Sequence, residues 1–214
     1  MQQHFVIGDV HGHADRLLNL LVKALVIKNG ERAMNDAVVV QLGDLGHFGP
    51  DTVAGDSACI ELSRNYIDVQ LWGNHDRAIV DYRHRFTGFM PPPTETAKAF
   101  LALQPRFMYD VMDGGKFAYK ITHAGVHPNF IGRDADTQDV IDAIGVRRGG
   151  HSLAGGILWR DAIEPLAPIP QVFGHTRHAK VTQYGDSWCV DIGEKDGEAL
   201  AGIWLPSLEI VEVP

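Results

Sequence analysis

Five stretches of the chain place polar, metal-competent or proton-carrying side chains directly after short apolar runs. The densest is Gly73-Asn74-His75-Asp76, which follows Ile67-Asp68-Val69-Gln70-Leu71-Trp72. An apolar run that stops at glycine and continues as amide, imidazole and carboxylate is how a strand delivers chemistry to a loop at its carboxyl end. Two such junctions come earlier, Phe5-Val6-Ile7-Gly8-Asp9-Val10-His11-Gly12 and Val38-Val39-Val40-Gln41-Leu42-Gly43-Asp44. Two come later, Ile121-Thr122-His123-Ala124-Gly125 and Val172-Phe173-Gly174-His175-Thr176. Asp9, His11, Asp44, Asn74, His123 and His175 together make an oxygen and nitrogen donor set suited to two metal ions.

Each residue has a role its chemistry can fill. Asp9 and His11 are two apart on an extended turn, so both can face one point and offer one hard oxygen and one imidazole nitrogen. Asp44 carries two carboxylate oxygens and can bridge two cations about 3.5 to 4 Å apart. Asn74 can complete a coordination shell through a neutral carbonyl oxygen. His75 reads as the acid that protonates a leaving oxygen, with Asp76 or another carboxylate orienting its ring and raising its pKa. Taken singly, each of these is as easily a helix cap, a turn residue or a surface histidine. Five strand ends that all present ligand types in one small chain are hard to explain as independent accidents.

The elements that must position them follow from periodicity. A strand is expected at 4–10, and a helix at Ala14 to Lys28, where Leu17, Leu18, Leu21, Val22, Leu25 and Val26 recur at helical spacing before an Asn29-Gly30 stop. Ala37 to Leu42 reads as a buried strand, 53–64 as a helix and 67–72 as a third strand. Strands alternating with helices predict a parallel sheet. A helix is expected from His75 to Arg85, broken by the prolines of Gly88 to Pro93, and another begins near Thr94-Glu95-Thr96. From Arg106 the pattern turns to hairpins, 107–112 against 117–122 around Asp113-Gly114-Gly115. A short helix near 136–144 and a glycine-rich patch at 149–156 come next, then strands near 171–174, 180–184, 187–192, 200–205 and 208–213. The expected fold is α/β, a four-layer αββα sandwich of two mixed sheets flanked by helices, in a single domain over 1–214.

Composition limits the function classes. The chain has 214 residues, 45% of them hydrophobic and 21% charged, the balance of an ordinary globular protein. No window offers the roughly 20 apolar residues of a membrane helix, so no membrane association is expected. The amino terminus lacks the charged region, apolar segment and cleavage site of a secretion signal, and the expected location is the cytoplasm. Cys59 and Cys189 are the only cysteines and fit neither a disulfide framework nor a thiolate zinc site. A net charge of −8 argues against extended nucleic-acid binding, while leaving room for a local basic pocket.

Gly8-Asp9-Val10-His11-Gly12, Gly43-Asp44, Gly73-Asn74-His75-Asp76, His123-Ala124-Gly125 and Gly174-His175-Thr176 resemble, in order and spacing, the motif series of the calcineurin-like metallophosphoesterases. The likeness is greatest to the bacterial phosphoprotein phosphatase and diadenosine tetraphosphatase branch, and it runs from residue 5 to about 193. The resemblance implies the αββα metallophosphatase fold and two divalent cations, manganese first, with iron or zinc as alternatives. It implies that Asp9, His11 and Asp44 hold one cation and that Asp44, Asn74, His123 and His175 hold the other. It also implies that a hydroxide shared by the cations attacks phosphorus in line, with His75 as general acid and Asp76 as its partner.

One departure bears on substrate. Where the phosphatase branch continues its second motif with Asp-Arg-Gly, this chain has His47-Phe48-Gly49, which removes a bidentate phosphate clamp. Arg160, in Leu158-Trp159-Arg160-Asp161, and Arg77 are the candidate replacements. His178 is a candidate supporting residue, and Arg147 and Arg148 are candidates for distal phosphates. The leading expectation is a dimetal hydrolase of phosphate monoesters, on phosphoprotein or small phosphorylated metabolites. A dinucleoside polyphosphate hydrolase or a phosphodiesterase is the alternative, and a non-catalytic metal-binding module is a minor one.

Overall fold

The structure is a computed structural model that describes residues 1–46, 52–81, 95–103, 106–128, 166–193 and 198–214. Its first sheet grows from β1 (His4–Ile7), an unbroken buried run of four residues. β1 pairs in parallel with β4 (Val38–Gln41), which pairs in parallel with β5 (Val69–Gln70). This is the parallel start expected from the strand and helix alternation, and it brings the three earliest motif loops to one edge of the sheet. Residues along β1 and β4 alternate between two separate cores, as the two-residue period of a strand requires. Phe5, Ile7 and Val39 pack with the helices, whereas Val6 and Val40 join the core between the sheets.

The amino-terminal helix is shorter than its periodicity suggests. α1 covers Ala14–Lys23, and Ile27–Lys28 and Glu31–Arg32 form the small hairpin β2–β3. Asn29 and Gly30 both take positive φ, 54° and 80°, so the pair read as a helix stop is the two-residue turn of that hairpin. Leu25, at φ 61°, already lies outside the helical region. α2 (Thr52–Tyr66), α3 (Asn74–Asp81) and α4 (Glu95–Ala102) complete the described helices.

The second sheet opens with the expected hairpin, β6 (Met108–Asp113) against β7 (Lys116–Thr122), turning through Gly114 and Gly115. β7 then pairs in parallel with β8 (Gln171–Phe173), and β8 with β10 (Ser187–Cys189), which has β9 (Thr182–Tyr184) on its far side. The last hairpin, β11 (Leu200–Leu205) and β12 (Ile210–Val213), returns to the first sheet, where β11 lies antiparallel to β1. Both sheets are therefore mixed, in orders β12-β11-β1-β4-β5 and β6-β7-β8-β10-β9. They pack through Val6, Val40, Leu42 and Leu71 on one side and Val111, Ile121, Val172 and Val190 on the other. This is the mixed α/β architecture of two sheets flanked by helices. The expected helix near 136–144 and the patch at 149–156 lie outside the described residues, and no described helix is long and apolar enough to cross a membrane.

Candidate metal centre

The motif loops meet at one end of the two sheets and are tied to each other before any side chain is considered. The N–H groups of Val10 and His11 both donate to the Asp44 carbonyl, at 3.1 and 2.8 Å, and Gly12 N–H donates to Leu45 O at 2.9 Å. The loop after β8 joins in the same way, through Gly174 N–H to His123 O at 2.7 Å and His175 N–H to Asp9 Oδ2 at 3.1 Å. Glycines allow these approaches. A Cβ at Gly8 would come within 2.6 Å of Val190 O, and one at Gly73 within 2.6 Å of Asp44 N.

Beneath the loops lies a buried amide network absent from the sequence reading. The Gln41 side chain, fully buried in β4, donates to Gly8 O at 3.1 Å and to Gly43 O at 2.6 Å, and accepts from Gly43 N–H at 2.8 Å. Gln70 Nε2 donates to Gln41 Oε1, and Ser63 on α2 donates to Gln70 Oε1 at 3.1 Å. One side chain thus fixes the residues that precede both Asp9 and Asp44. Buried polar groups satisfied in this way order a site more firmly than apolar packing does.

The candidate ligand side chains converge. One donor atom each from Asp9, His11 and Asp44 lie within 4.8 Å of one another, and all three residues are buried. His123 Nε2 is 3.5 Å from Asp44 Oδ2 and 3.0 Å from Asn74 Oδ1. The His175 ring stands 5.2 Å from the His123 ring, centroid to centroid. Asp44 therefore stands between the Asp9 and His11 pair and the Asn74 and His123 pair, the place a bridging carboxylate must occupy. His75 N–H donates to Asp44 Oδ1 at 2.8 Å, and its Nε2 lies 3.8 Å from Asp44 Oδ2 with the side chain 20% exposed.

Three of these residues hold unusual backbone conformations. His11, Asp44 and His175 have φ of 50°, 54° and 65°, in the left-handed region that residues with a Cβ rarely adopt. Each costs on the order of 1 to 3 kcal/mol, which the surrounding structure must over-determine. The hydrogen bonds between the loops are that over-determination.

The electrostatics are those of a site assembled for cations. Burial, then the carboxylates of Asp191 and Asp44, holds the Asp9 carboxyl well above the usual range. Asp44 is raised in the same direction by burial and by Asp76. His123 is pushed well below its ordinary value, by burial first and then by His175 and His11, so its ring is neutral and keeps a lone pair. Asp9 Oδ1 is buried with no hydrogen-bond partner among the described residues, and it stands 3.9 Å from His123 Nδ1. Orphaned polar atoms are rare in folded interiors. A carboxylate beside a neutral imidazole offers the donor types that hard and borderline divalent cations take, so the residues fit such ions.

Asp76 and Arg77 sit differently from the site's other members. Asp76 is fully buried, and its carboxylate accepts the N–H groups of Asp44 at 2.6 Å, Gly73 at 2.8 Å and Leu45 at 3.1 Å. Arg77 is 9% exposed. Arg160, Arg147, Arg148, His47 and Phe48 lie outside the described residues. His178, beyond the metal-ligand candidates, bonds through Nε2 to the Tyr184 hydroxyl at 2.9 Å, and its N–H donates to Asp191 O.

Asp191 is the carboxylate that sequence reasoning missed. It is 5% exposed, and burial pushes it up to about 6, opposed by the charge of Arg177. Its signal was present, because Trp188-Cys189-Val190-Asp191 repeats the junction of apolar strand and acid seen at Asp9 and Asp44.

Comparison with known proteins agrees with this geometry. The family model for the calcineurin-like phosphoesterases matches residues 5–200. A search of curated proteins finds no match. Among solved structures, a protein provisionally assigned as a diadenosine tetraphosphatase superposes with a TM-score of 0.61 at 20% identity, over 100% of this chain and 93% of that one. The cold-active protein-tyrosine phosphatase of a psychrophilic Shewanella superposes at 0.66 and 18% identity, over 99% and 77%. A serine/threonine phosphatase from Saccharomyces cerevisiae does so at 0.57 and 14%, over 99% and 79%. At such identities the superpositions establish a shared fold. The family match covers most of the chain, and the protein belongs to the calcineurin-like phosphoesterases.

Proposed function

We propose that this protein hydrolyses phosphate monoesters, of phosphoprotein or of a small phosphorylated metabolite, at a centre of two divalent cations, manganese first among them. The observation that carries the reading is the convergence of Asp9, His11 and Asp44 within 4.8 Å, in a buried site whose Asp9 Oδ1 has no hydrogen-bond partner among the described residues. Asp9, His11 and Asp44 would hold one cation, and Asp44, Asn74, His123 and His175 the other. When bound, the cations supply Lewis-acid charge that activates water toward phosphorus and offsets charge on the phosphoryl oxygens. His75 is held by its own N–H to Asp44 while its ring reaches solvent, which suits a group that delivers a proton to a departing alkoxide. Arg160 is assigned to the phosphoryl oxygens on its sequence position.

The test is the initial rate of the manganese-loaded protein on an aryl phosphate monoester, the matching diester and diadenosine tetraphosphate, side by side. The monoester is expected to lead. His75→Ala is expected to lower kcat by about 10²- to 10⁴-fold while the protein keeps its cations. A lead for the diester or the dinucleotide would move the substrate class, and unchanged turnover in His75→Ala would remove that residue from the mechanism.

A further inference from the structure

Asp76 begins from a simple position. Gly73 precedes α3, so Asn74, His75 and Asp76 are its first three residues, and Asp76 Oδ2 reaches back to Gly73 N–H at 2.8 Å. That is half of a capping box, in which the third helical residue satisfies the N–H of the residue before the helix. The same carboxylate also crosses to a different loop. Its oxygens accept the successive N–H groups of Asp44 and Leu45, at 2.6 and 3.1 Å. Successive N–H groups around a left-handed residue form a concavity that binds anions, and Asp44, at φ 54°, is such a residue. In this protein the anion in the concavity is a side chain of the neighbouring helix.

Three donors on one fully buried carboxylate tie two motif loops together, and the residue they fix is the one that stands between the two halves of the ligand set. A left-handed backbone at Asp44 turns its carboxylate toward His75 N–H on one side and His123 on the other. Two of the three bonds act on the Asp44-Leu45 backbone, beside the N–H groups of Val10 and His11 that reach the Asp44 carbonyl from the other side, and together they hold Asp44 out of the extended region that ends β4. We propose that Asp76 is a positioning residue for Asp44: it sets the backbone of the bridging carboxylate before any cation binds. This differs from service as the carboxylate that orients the His75 ring. The inference rests on the two-cation reading above for its consequence, but its geometry does not depend on it.

The two roles give different results. Asp76→Asn keeps the size of the side chain but replaces one acceptor with a donor that faces N–H groups, so Asp44 should relax. Manganese affinity, read by the electron paramagnetic resonance of free and bound Mn(II) on titration, is expected to fall about 10- to 100-fold, the range found for outer-shell partners of metal ligands. His75→Ala, measured beside it, is expected to bind manganese as the wild type does. Asp76→Asn binding manganese with wild-type affinity would overturn the proposal. Should Asp76→Asn fail to fold, amide exchange of the metal-free wild type decides instead. The Gly73, Asp44 and Leu45 amides are expected to be protected like those of β4, and exchange at the rate of an open loop would overturn the proposal. A wild type that binds no divalent cation would refute the two-cation reading, while the amide measurement would still decide for or against Asp76.

Discussion

Gly73→Ala would add one methyl group at the tightest point of the centre. The backbone of Gly73 is not in the left-handed region, so alanine suffers no conformational penalty there and the effect is steric alone. The new Cβ would meet Asp44 Oδ1 first, with Asp44 N at 2.6 Å and Asp44 Cγ at 2.7 Å. Asp44 N is about 0.8 Å short of ordinary van der Waals contact and Oδ1 is shorter still, so the Asp44 carboxylate and the loop carrying it must retreat by about 1 Å or more. Movement of that size stretches the 2.8 Å bond from His75 N–H and the 2.6 Å bond from Asp44 N–H to Asp76 together. Overpacking of this kind costs about 1 to 3 kcal/mol of stability. The functional loss should be larger in proportion, since a displacement near 1 Å at a reacting centre lowers the rate by about 100-fold. Thermal unfolding, bound manganese per chain and kcat/KM on the preferred substrate measure the three effects in one preparation. A variant that kept wild-type metal content and kcat/KM would refute the claim that Asp44 is held between Gly73 and the ligand histidines.

Two further predictions concern the groups beneath and beside the ligands. Gln41→Leu preserves volume but strands the buried Gly43 N–H and the carbonyls of Gly8 and Gly43. The expected loss is about 3 kcal/mol in urea unfolding, and a change under about 1 kcal/mol would show that the network does not order the two loops. For the metal-free protein, the Asp191 carboxyl is pushed up to about 6 by burial, above its value of about 3.9 in the unfolded chain. Its contribution to stability is therefore fully present below about pH 4 and is lost as the pH rises through about 6, on the order of 3 kcal/mol in all. Thermal melts of chelator-treated protein from about pH 4 to 7 should show Asp191→Asn gaining on the wild type as pH rises, and parallel curves would refute the assignment.

The strand-end motifs were legible in the sequence because their physics is local. An apolar run has to be buried, and the first polar residues after it fall at its carboxyl end, so Asp9, His11, Asp44, Asn74, His75, His123 and His175 could each be placed at the end of a strand from patterning alone. Parallel pairing of the first three strands followed from their alternation with helices, and the hairpin at 108–122 from its Gly114-Gly115 turn. The Asn29-Gly30 pair shows where local signals become ambiguous. A helix stop and a hairpin turn use the same residues, and only the pairing of Ile27 with Arg32 distinguishes them.

What the tertiary structure decided was long-range. Asp76 lies next to His75 in sequence, which invites a partnership between the two, yet its oxygens are spent on N–H groups, two of which come from a loop more than thirty residues earlier. Gln41 reads as an ordinary strand residue until its amide is seen spanning Gly8 and Gly43. Asp191 comes to the centre only because β10 lies beside β8, whose loop carries His175. Left-handed φ at His11, Asp44 and His175 belongs in the same class, because aspartate and histidine tolerate that region better than most residues but do not demand it, and hydrogen bonds between loops distant in sequence hold it here. Residue types along the chain determined which chemistry was available. The packing of two sheets determined which side chains support the candidate ligands and which are presented as candidate ligands themselves, because that choice depends on contacts between segments far apart in sequence.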